Sequence, residues 1–363
     1  MNLPDDLETI ELRIAEVVAG WMALGNAQRP TANELVAQHP DLAPGLEECV
    51  QSLLRIERNK PTFIDQGAEV SLVDRPATAY PQIPDFEIQR ELGRGGMGIV
   101  YEAKQVSLGR VVALKVLPIG KVEPRSVQRF VKEAETVAKL DHPHIVPIYA
   151  VGVHNGLNWF AMQRIDGCPL SEWFASNTFE SRHEAIREVI RVGIEAAEAL
   201  EHAHQRGVIH RDVKPGNLLV DTNRKLWLTD FGLAQREVDV TATATGALLG
   251  TPRYMSSEQV SGRDGTIDAR TDVYSLGATL FEMATGRPPF TSESPLELLM
   301  QIQSDEPTGP RQIDPLIPRA LELVILKCLD KEPSRRYASA ATLANDLKAI
   351  RDDRPISARG LPV

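Results

Sequence analysis

The sequence predicts an α+β fold in which a small, sheet-rich part precedes a larger helical one, with a short helical extension in front. Two observations carry this. Glycines and β-branched runs come first from Phe86 onward, as in Arg110-Val111-Val112-Ala113-Leu114-Lys115-Val116, and longer helical patterns such as Glu184 to His204 follow. Strands and then helices, rather than strict alternation, favour α+β. The 363 residues are 42% hydrophobic and 25% charged, the balance of a soluble globular protein. A net charge of -10 argues against nucleic acid or an anionic membrane as the main partner. Cys49, Cys168 and Cys328 are far apart and show no C-x-x-C spacing, so no disulfide framework or zinc site is expected. Residues 1–10 hold no apolar core of a signal peptide, and no run approaches the ~18 apolar residues of a membrane helix. The expected location is cytoplasmic.

Residues 1–60 read as a helical extension. Ile10, Ile14, Val17, Val18 and Trp21 share one helix face. Thr31-Ala32-Asn33-Glu34 has capping-box spacing and opens a second, short helix that stops near Pro40. Leu46, Cys49, Val50 and Leu53 mark a third amphipathic stretch. A linker follows over 61–84, punctuated by Pro61, Pro76, Pro81 and Pro84. The main domain runs over 85–350, and 351–363 is a polar, proline-punctuated tail. No internal repeat is present.

Gly93-Arg94-Gly95-Gly96-Met97-Gly98 is a G-x-G-x-x-G motif. Alone it fits either a dinucleotide turn, which needs a helix after the third glycine, or a glycine-rich flap over phosphates. Ile99 to Ala103 and a turn at Leu108-Gly109 read as a hairpin, which favours the flap. Lys115 follows on the next strand and can hold phosphate oxygens if a carboxylate fixes it. The helical pattern from Arg125 to Leu140 offers Glu133 and Glu135 for that.

His210-Arg211-Asp212-Val213-Lys214-Pro215-Gly216-Asn217 is more specific. Asp212 can accept the proton of an attacking hydroxyl, or orient it. Lys214 can neutralise charge on a transferring phosphoryl group. Asn217 supplies an oxygen suited to Mg²⁺. Arg211 offers a docking point for a phosphate held elsewhere in the chain. Asp230-Phe231-Gly232 follows, with Asp230 as a second metal ligand.

Together these segments resemble the eukaryotic-type (Hanks-type) protein kinases, over roughly Phe86 to Ile350, and most of all the bacterial serine/threonine kinases. His142-Pro143-His144-Ile145-Val146 and Gly250-Thr251-Pro252-Arg253-Tyr254-Met255-Ser256 carry the bacterial wording. The resemblance implies a bilobal kinase fold and γ-phosphoryl transfer from Mg-ATP, with Mn²⁺ as an alternative, to Ser or Thr of protein substrates. It makes Asp212, Lys214, Lys115 and Glu133 the catalytic set, with Lys115 paired to Glu133. It assigns ATP binding to Gly93, Arg94, Gly95, Gly96, Met97, Gly98, Val100, Ala113, Lys115, the gatekeeper Met162, and the hinge residues Gln163 and Ile165. Metal binding falls to Asn217 and Asp230. Thr251 helps to hold Asp212 and Lys214. Asp272 props up the catalytic loop, and Glu258 pairs with a buried Arg336.

One departure is Ser256-Ser257-Glu258 in place of Ala-Pro-Glu; the missing proline is expected to soften the substrate-side loop. Thr243 and Thr245 lie eight and six residues before Thr251, matching phosphorylated threonines of the bacterial family, so autophosphorylation there, read by Arg211, is expected. A homodimer is a further expected partner for that step. Competing readings are a pseudokinase, a small-molecule kinase of related fold, and a nucleotide-binding dehydrogenase. The chain stops in linker-like sequence at Val363, as a short soluble kinase or as a piece of a longer one.

Overall fold

A computed structural model describes residues 13, 17, 30–42, 80–95, 98–117, 132, 134–231, 252–261 and 267–358. These fall in two compact units, one holding residues 13, 17 and 30–42 and the other the remainder. In the first, helix α1 (Ala32–Gln38) opens with the expected capping box. The Thr31 side chain accepts from the Glu34 amide, and the Glu34 carboxylate accepts from the Thr31 amide. The helix ends at His39, before Pro40–Leu42 turns as a 3₁₀ helix that buries Leu42. Of the first predicted helix only Arg13 and Val17 are described, both helical, and the stretch from Leu46 to Leu53 lies outside the described residues.

The second unit begins with a five-stranded antiparallel sheet: β1 (Phe86–Gly95), β2 (Gly98–Gln105), β3 (Arg110–Val116), β4 (Ile148–His154) and β5 (Leu157–Gln163), in the order β1-β2-β3-β5-β4. Alternation along β3 explains how the sheet sorts its side chains. Val112, Leu114 and Val116 enter one cluster with Tyr101, Ala103 and Ala161. Ala113 and Lys115 face the other way, and Ala113 packs there with Leu117, Val146, Phe160 and Met162. β2 and β3 form the predicted hairpin, turning at Leu108-Gly109 with Gln105 opposite Arg110, and β1 pairs along β2 with Gly95 opposite Gly98. Gly98 has φ 132°, and a Cβ there would lie 2.4 Å from the Val116 carbonyl oxygen, so only glycine fits. A strand, not a helix, follows Gly98, which removes the dinucleotide alternative.

Of the predicted helix over Arg125 to Leu140, Lys132 and residues 134–137 are described and helical. A small sheet, β6 (Gly167–Pro169), β7 (Leu218–Asp221) and β8 (Leu226–Leu228), lies at the start of the helical part. The helices are α2 (Leu170–Ser176), α3 (Arg182–His204), α4 (Ser257–Ser261), α5 (Ala269–Thr285), α6 (Pro295–Ser304), α7 (Pro310–Ile313), α8 (Arg319–Cys328) and α9 (Ala340–Arg351). α5 is buried nearly all round, the mark of a central helix. It starts at Asp268, which caps the Arg270 amide, and stops at left-handed Gly286. At Gly277 it meets α8 so closely that a Cβ would lie 2.3 Å from the Cys328 Cβ.

Described contacts continue past both ends of the 85–350 span. Ile83, in the segment read as linker, is buried with Phe86 in the sheet core. Beyond α9, Ser357 and Ala358 donate their amides to the Asp346 carboxylate, so part of the polar tail docks. Neither contact has a periodic signature in sequence. Among the described residues no helix is long and apolar enough to cross a membrane.

Candidate active site

The β7–β8 hairpin brings the chemistry together. Its register sets Leu218 opposite Leu228, and the Thr229 amide donates to the Asn217 carbonyl. The segment ending at Asn217 and the segment beginning at Asp230 are therefore neighbours. The Asp212 Oδ2 accepts from Lys214 Nζ and from Asn217 Nδ2, both at 2.8 Å. Asn217 Nδ2 also donates to the Asp212 carbonyl at 2.8 Å. With Nδ2 turned to Asp212, Oδ1 is the atom that Asn217 can offer a cation. Lys115, reaching from β3, places Nζ 2.7 Å from Asp230 Oδ1. The expected partner Glu133 lies outside the described residues.

Two residues of this site, Arg211 (φ 66°) and Asp230 (φ 61°), hold left-handed backbone. That conformation costs a side-chain-bearing residue roughly 1–3 kcal/mol and persists only where the surroundings over-determine it. Asp272, fully buried on α5, supplies much of that restraint. Its Oδ1 accepts the Arg211 amide at 2.7 Å, and its Oδ2 accepts the His210 amide at 2.8 Å and bonds His204 Nε2 at 2.7 Å. His210 joins the two strained points. Its Nδ1 accepts the Asp212 amide at 3.3 Å, and its Nε2 faces the Thr229 carbonyl at 2.9 Å. An amide can only donate and a carbonyl only accept, so the ring carries its proton on Nε2.

A second buried network anchors the segment after residue 251. Arg336 Nη1 donates to Glu258 Oε1 at 2.7 Å and Nη2 to Oε2 at 2.8 Å. Its remaining N–H groups reach the carbonyls of Asp330, Arg270 and Lys331, so the whole guanidinium fork is used. Burial opposes ionisation of Glu258, but the hydrogen bonds and charge of Arg336, helped by the Thr271 hydroxyl, hold its carboxyl down to about 2. Ser257, where the resemblance leads one to expect proline, is tied through its hydroxyl. It donates to the Lys331 carbonyl at 2.8 Å and accepts from Arg336 Nη2 at 3.2 Å.

On the sheet side, Val100 sits opposite Lys115, Lys115 opposite Phe160, and Ala113 opposite Met162. Val100, Ala113, Met162 and Ile165 share one apolar cluster with Trp227. Gln163 ends β5, its amide bonded to the Pro147 carbonyl. Gly93, Arg94 and Gly95 close β1, and a Cβ added at Gly93 or Gly95 meets nothing within 4 Å. Gly96, Met97, Thr243, Thr245 and Thr251 lie outside the described residues. Sequence reasoning located Asp212, Lys214, Asn217, Asp230, Asp272, Glu258 and Arg336, but it gave no role to His204, His210, Ser257 or Gln259. The role of Gln259 comes from a bond across 48 residues, from its Nε2 to the Arg211 carbonyl at 2.8 Å. Local pattern carries no signal of it.

The family model described as the protein kinase domain matches residues 86–347. A probable serine/threonine-protein kinase of Streptomyces coelicolor is 38% identical over 280 residues, covering 75% of this chain and 41% of that protein. Serine/threonine-protein kinase PrkC of Bacillus subtilis is 36% identical over 269 residues, 74% of this chain and 40% of PrkC. PknB of Mycobacterium tuberculosis is 37% identical over 277 residues, 74% of this chain and 43% of PknB. The chain thus spans about two fifths of the length of these curated relatives. A crystal structure of a mutant PknI kinase domain from Mycobacterium tuberculosis superposes with a TM-score of 0.60 at 27% identity, covering 74% of this chain and 96% of that one.

Proposed function

The chain belongs to the protein kinase family, and we infer that it transfers the γ-phosphoryl group of ATP to serine or threonine hydroxyls of proteins. The observation that supports this is the Asp212–Lys214–Asn217 constellation on a segment that neighbours the one bearing the Lys115–Asp230 pair. Asp212 Oδ2 is occupied by Lys214 and Asn217, which leaves Oδ1 to accept the proton of the attacking hydroxyl. Lys214, held beside Asp212, would offset charge developing on the phosphoryl group that the hydroxyl attacks. Lys115 is positioned on a rigid strand for phosphate oxygens. The apolar cluster of Val100, Ala113, Met162 and Ile165 suits an adenine ring, with backbone of Gln163 and Ile165 at its edge.

A carboxylate from Asp230 and an amide oxygen from Asn217 are hard donors that fit Mg²⁺ or Mn²⁺, which takes few protein ligands and completes its shell with phosphate and water. Among the described residues no group of three or more His, Cys, Asp or Glu could hold a metal alone, consistent with such sharing. Asp230 and Asn217 would hold such a cation, which would supply charge neutralisation to the phosphates. Serine and threonine acceptors are favoured by Lys214 and by the names of the relatives. The proposed division is a helical extension over 1–60, a linker from 61, a kinase domain near 85–350 that also takes in Ile83 and Ala358, and a tail. The proposal further includes autophosphorylation at Thr243 and Thr245 through a homodimer, a cytoplasmic site of action, and no nucleic-acid partner. Transfer of labelled phosphate from ATP to casein by the purified chain, compared with Asp212→Ala, tests the core of it. Transfer that survives Asp212→Ala, or that is absent from the wild type, defeats it.

A further inference from the structure

Gln259 is the third residue of α4 and its side chain faces two ways. Its Oε1 accepts from the Ser256 amide at 3.0 Å and the Ser256 hydroxyl at 3.2 Å. Its Nε2 donates to the Arg211 carbonyl at 2.8 Å. The orientation of the amide is not arbitrary. The Ser256 amide can only donate, so it faces the oxygen, and the Arg211 carbonyl can only accept, so it faces the nitrogen.

The bonds to Ser256 have an ordinary local explanation. A Gln or Glu three residues into a helix, returning to the backbone amide at its start, is half of a capping box. The bond to Arg211 has no such explanation, because it leaves the helix. The carbonyl it holds belongs to the peptide that joins Arg211 to Asp212. The N–H of that same peptide is held by His210 Nδ1. The peptide plane immediately before Asp212 is therefore gripped at both ends, at a residue whose left-handed φ of 66° would otherwise relax. One grip comes from within the catalytic loop and the other from the segment that follows residue 251.

We propose that Gln259 is a positioning residue that sets the direction of the Asp212 carboxylate and couples it to the order of residues 252–261. The coupling rests on the phosphoryl-transfer reading above. It gives that segment a route to the catalytic aspartate that does not pass through Thr251. If the segment moves, the Arg211 carbonyl loses the Gln259 donor, and the peptide before Asp212 loses one of its described restraints.

Gln259→Glu separates this from capping. Glutamate serves as well as glutamine in a capping box and suits the start of a helix electrostatically, but it has no N–H for the Arg211 carbonyl. Gln259→Leu removes both contacts. The full chain and both variants are assayed for steady-state transfer to casein, for ADP affinity and for thermal midpoint, alongside Asp212→Ala. The expected result for Gln259→Glu is a fall in kcat of roughly tenfold, the scale of one hydrogen bond lost at a reacting centre. KM for ATP and ADP affinity stay within about twofold, since uniform binding is untouched, and the thermal midpoint falls by no more than a few degrees, the scale of one neutral hydrogen bond. Gln259→Leu is expected to lose kcat equally and to unfold at lower temperature. A Gln259→Glu enzyme with kcat within twofold of wild type overturns the proposal, as does a loss of kcat matched by losses of ADP affinity and thermal midpoint. Wild-type protein without Asp212-dependent transfer would instead defeat the phosphoryl-transfer reading itself.

Discussion

Replacing Glu258 by glutamine keeps the shape of the buried pair and removes its charge. The Arg336 side chain is fully buried and that of Glu258 is 7% exposed, so solvent screens the pair little. The carboxyl is held at about 2 against an ordinary value of 4.5. That difference corresponds to about 3 kcal/mol at ~1.4 kcal/mol per pKa unit. The usual cost of removing one partner of a buried pair, about 3–5 kcal/mol, brackets the same figure. The folded carboxyl is the more acidic one, so the contribution is complete above pH 4.5 and disappears as pH falls toward 2. Urea denaturation of wild type and Glu258→Gln at pH 7, 5, 4 and 3 reads this directly. The stability gap is expected near 3 kcal/mol at pH 7 and about 1 kcal/mol at pH 3. A gap that stays constant with pH, or is under about 1 kcal/mol at neutrality, would show that the pair does not anchor this segment.

Ser257 and His142 give two smaller tests. Ser257→Ala leaves the Lys331 carbonyl without one of its donors and is expected to lower stability by about 1 kcal/mol in the same denaturation assay; a change within error would make the hydroxyl a bystander. Burial first, and then neighbouring His202 and His144, push His142 down to about 4 from 6.5. The folded state therefore binds this proton less readily than the unfolded one, and stability is expected to decline as pH falls from 6.5 toward 4. His142→Gln should flatten that part of the wild-type pH–stability curve, and an unchanged slope would assign it to other groups.

How much of this was legible in sequence depended on how local the cause was. The capping box at Thr31 and the hairpin turning at Leu108-Gly109 are local, and spacing alone placed them. Asp212, Lys214 and Asn217 lie within six residues, so their convergence followed from the motif. Asp272 and Arg336 lie far from their partners and were reached only because the resemblance supplied them. Ser257 shows the limit of that route. The resemblance marked the absence of a proline there, but not that a hydroxyl at the same position could join a carbonyl 74 residues away. Ile83 and Ala358 carry no such local signal, since each is a single buried residue within a polar, proline-bearing segment.

The site's restraint comes chiefly from groups that perform no chemistry. Left-handed backbone at Arg211 and Asp230 costs together some 2–6 kcal/mol. Against it stand the bonds of Asp272 to two backbone amides and to His204, the two bonds of the His210 ring, and the bond from Gln259. Hydrogen bonds to a charged group contribute about 1.5–3 kcal/mol each and neutral ones about 1 kcal/mol, so the restraints outweigh the strain, with most of the excess supplied by Asp272. The loop can keep its fold when a single tie outside Asp272 is lost, yet that loss can free the peptide before Asp212 to reorient. Among these ties only that of Gln259 originates in the segment after residue 251. It is therefore the described contact through which, on the proposal above, a change in that segment would reach Asp212.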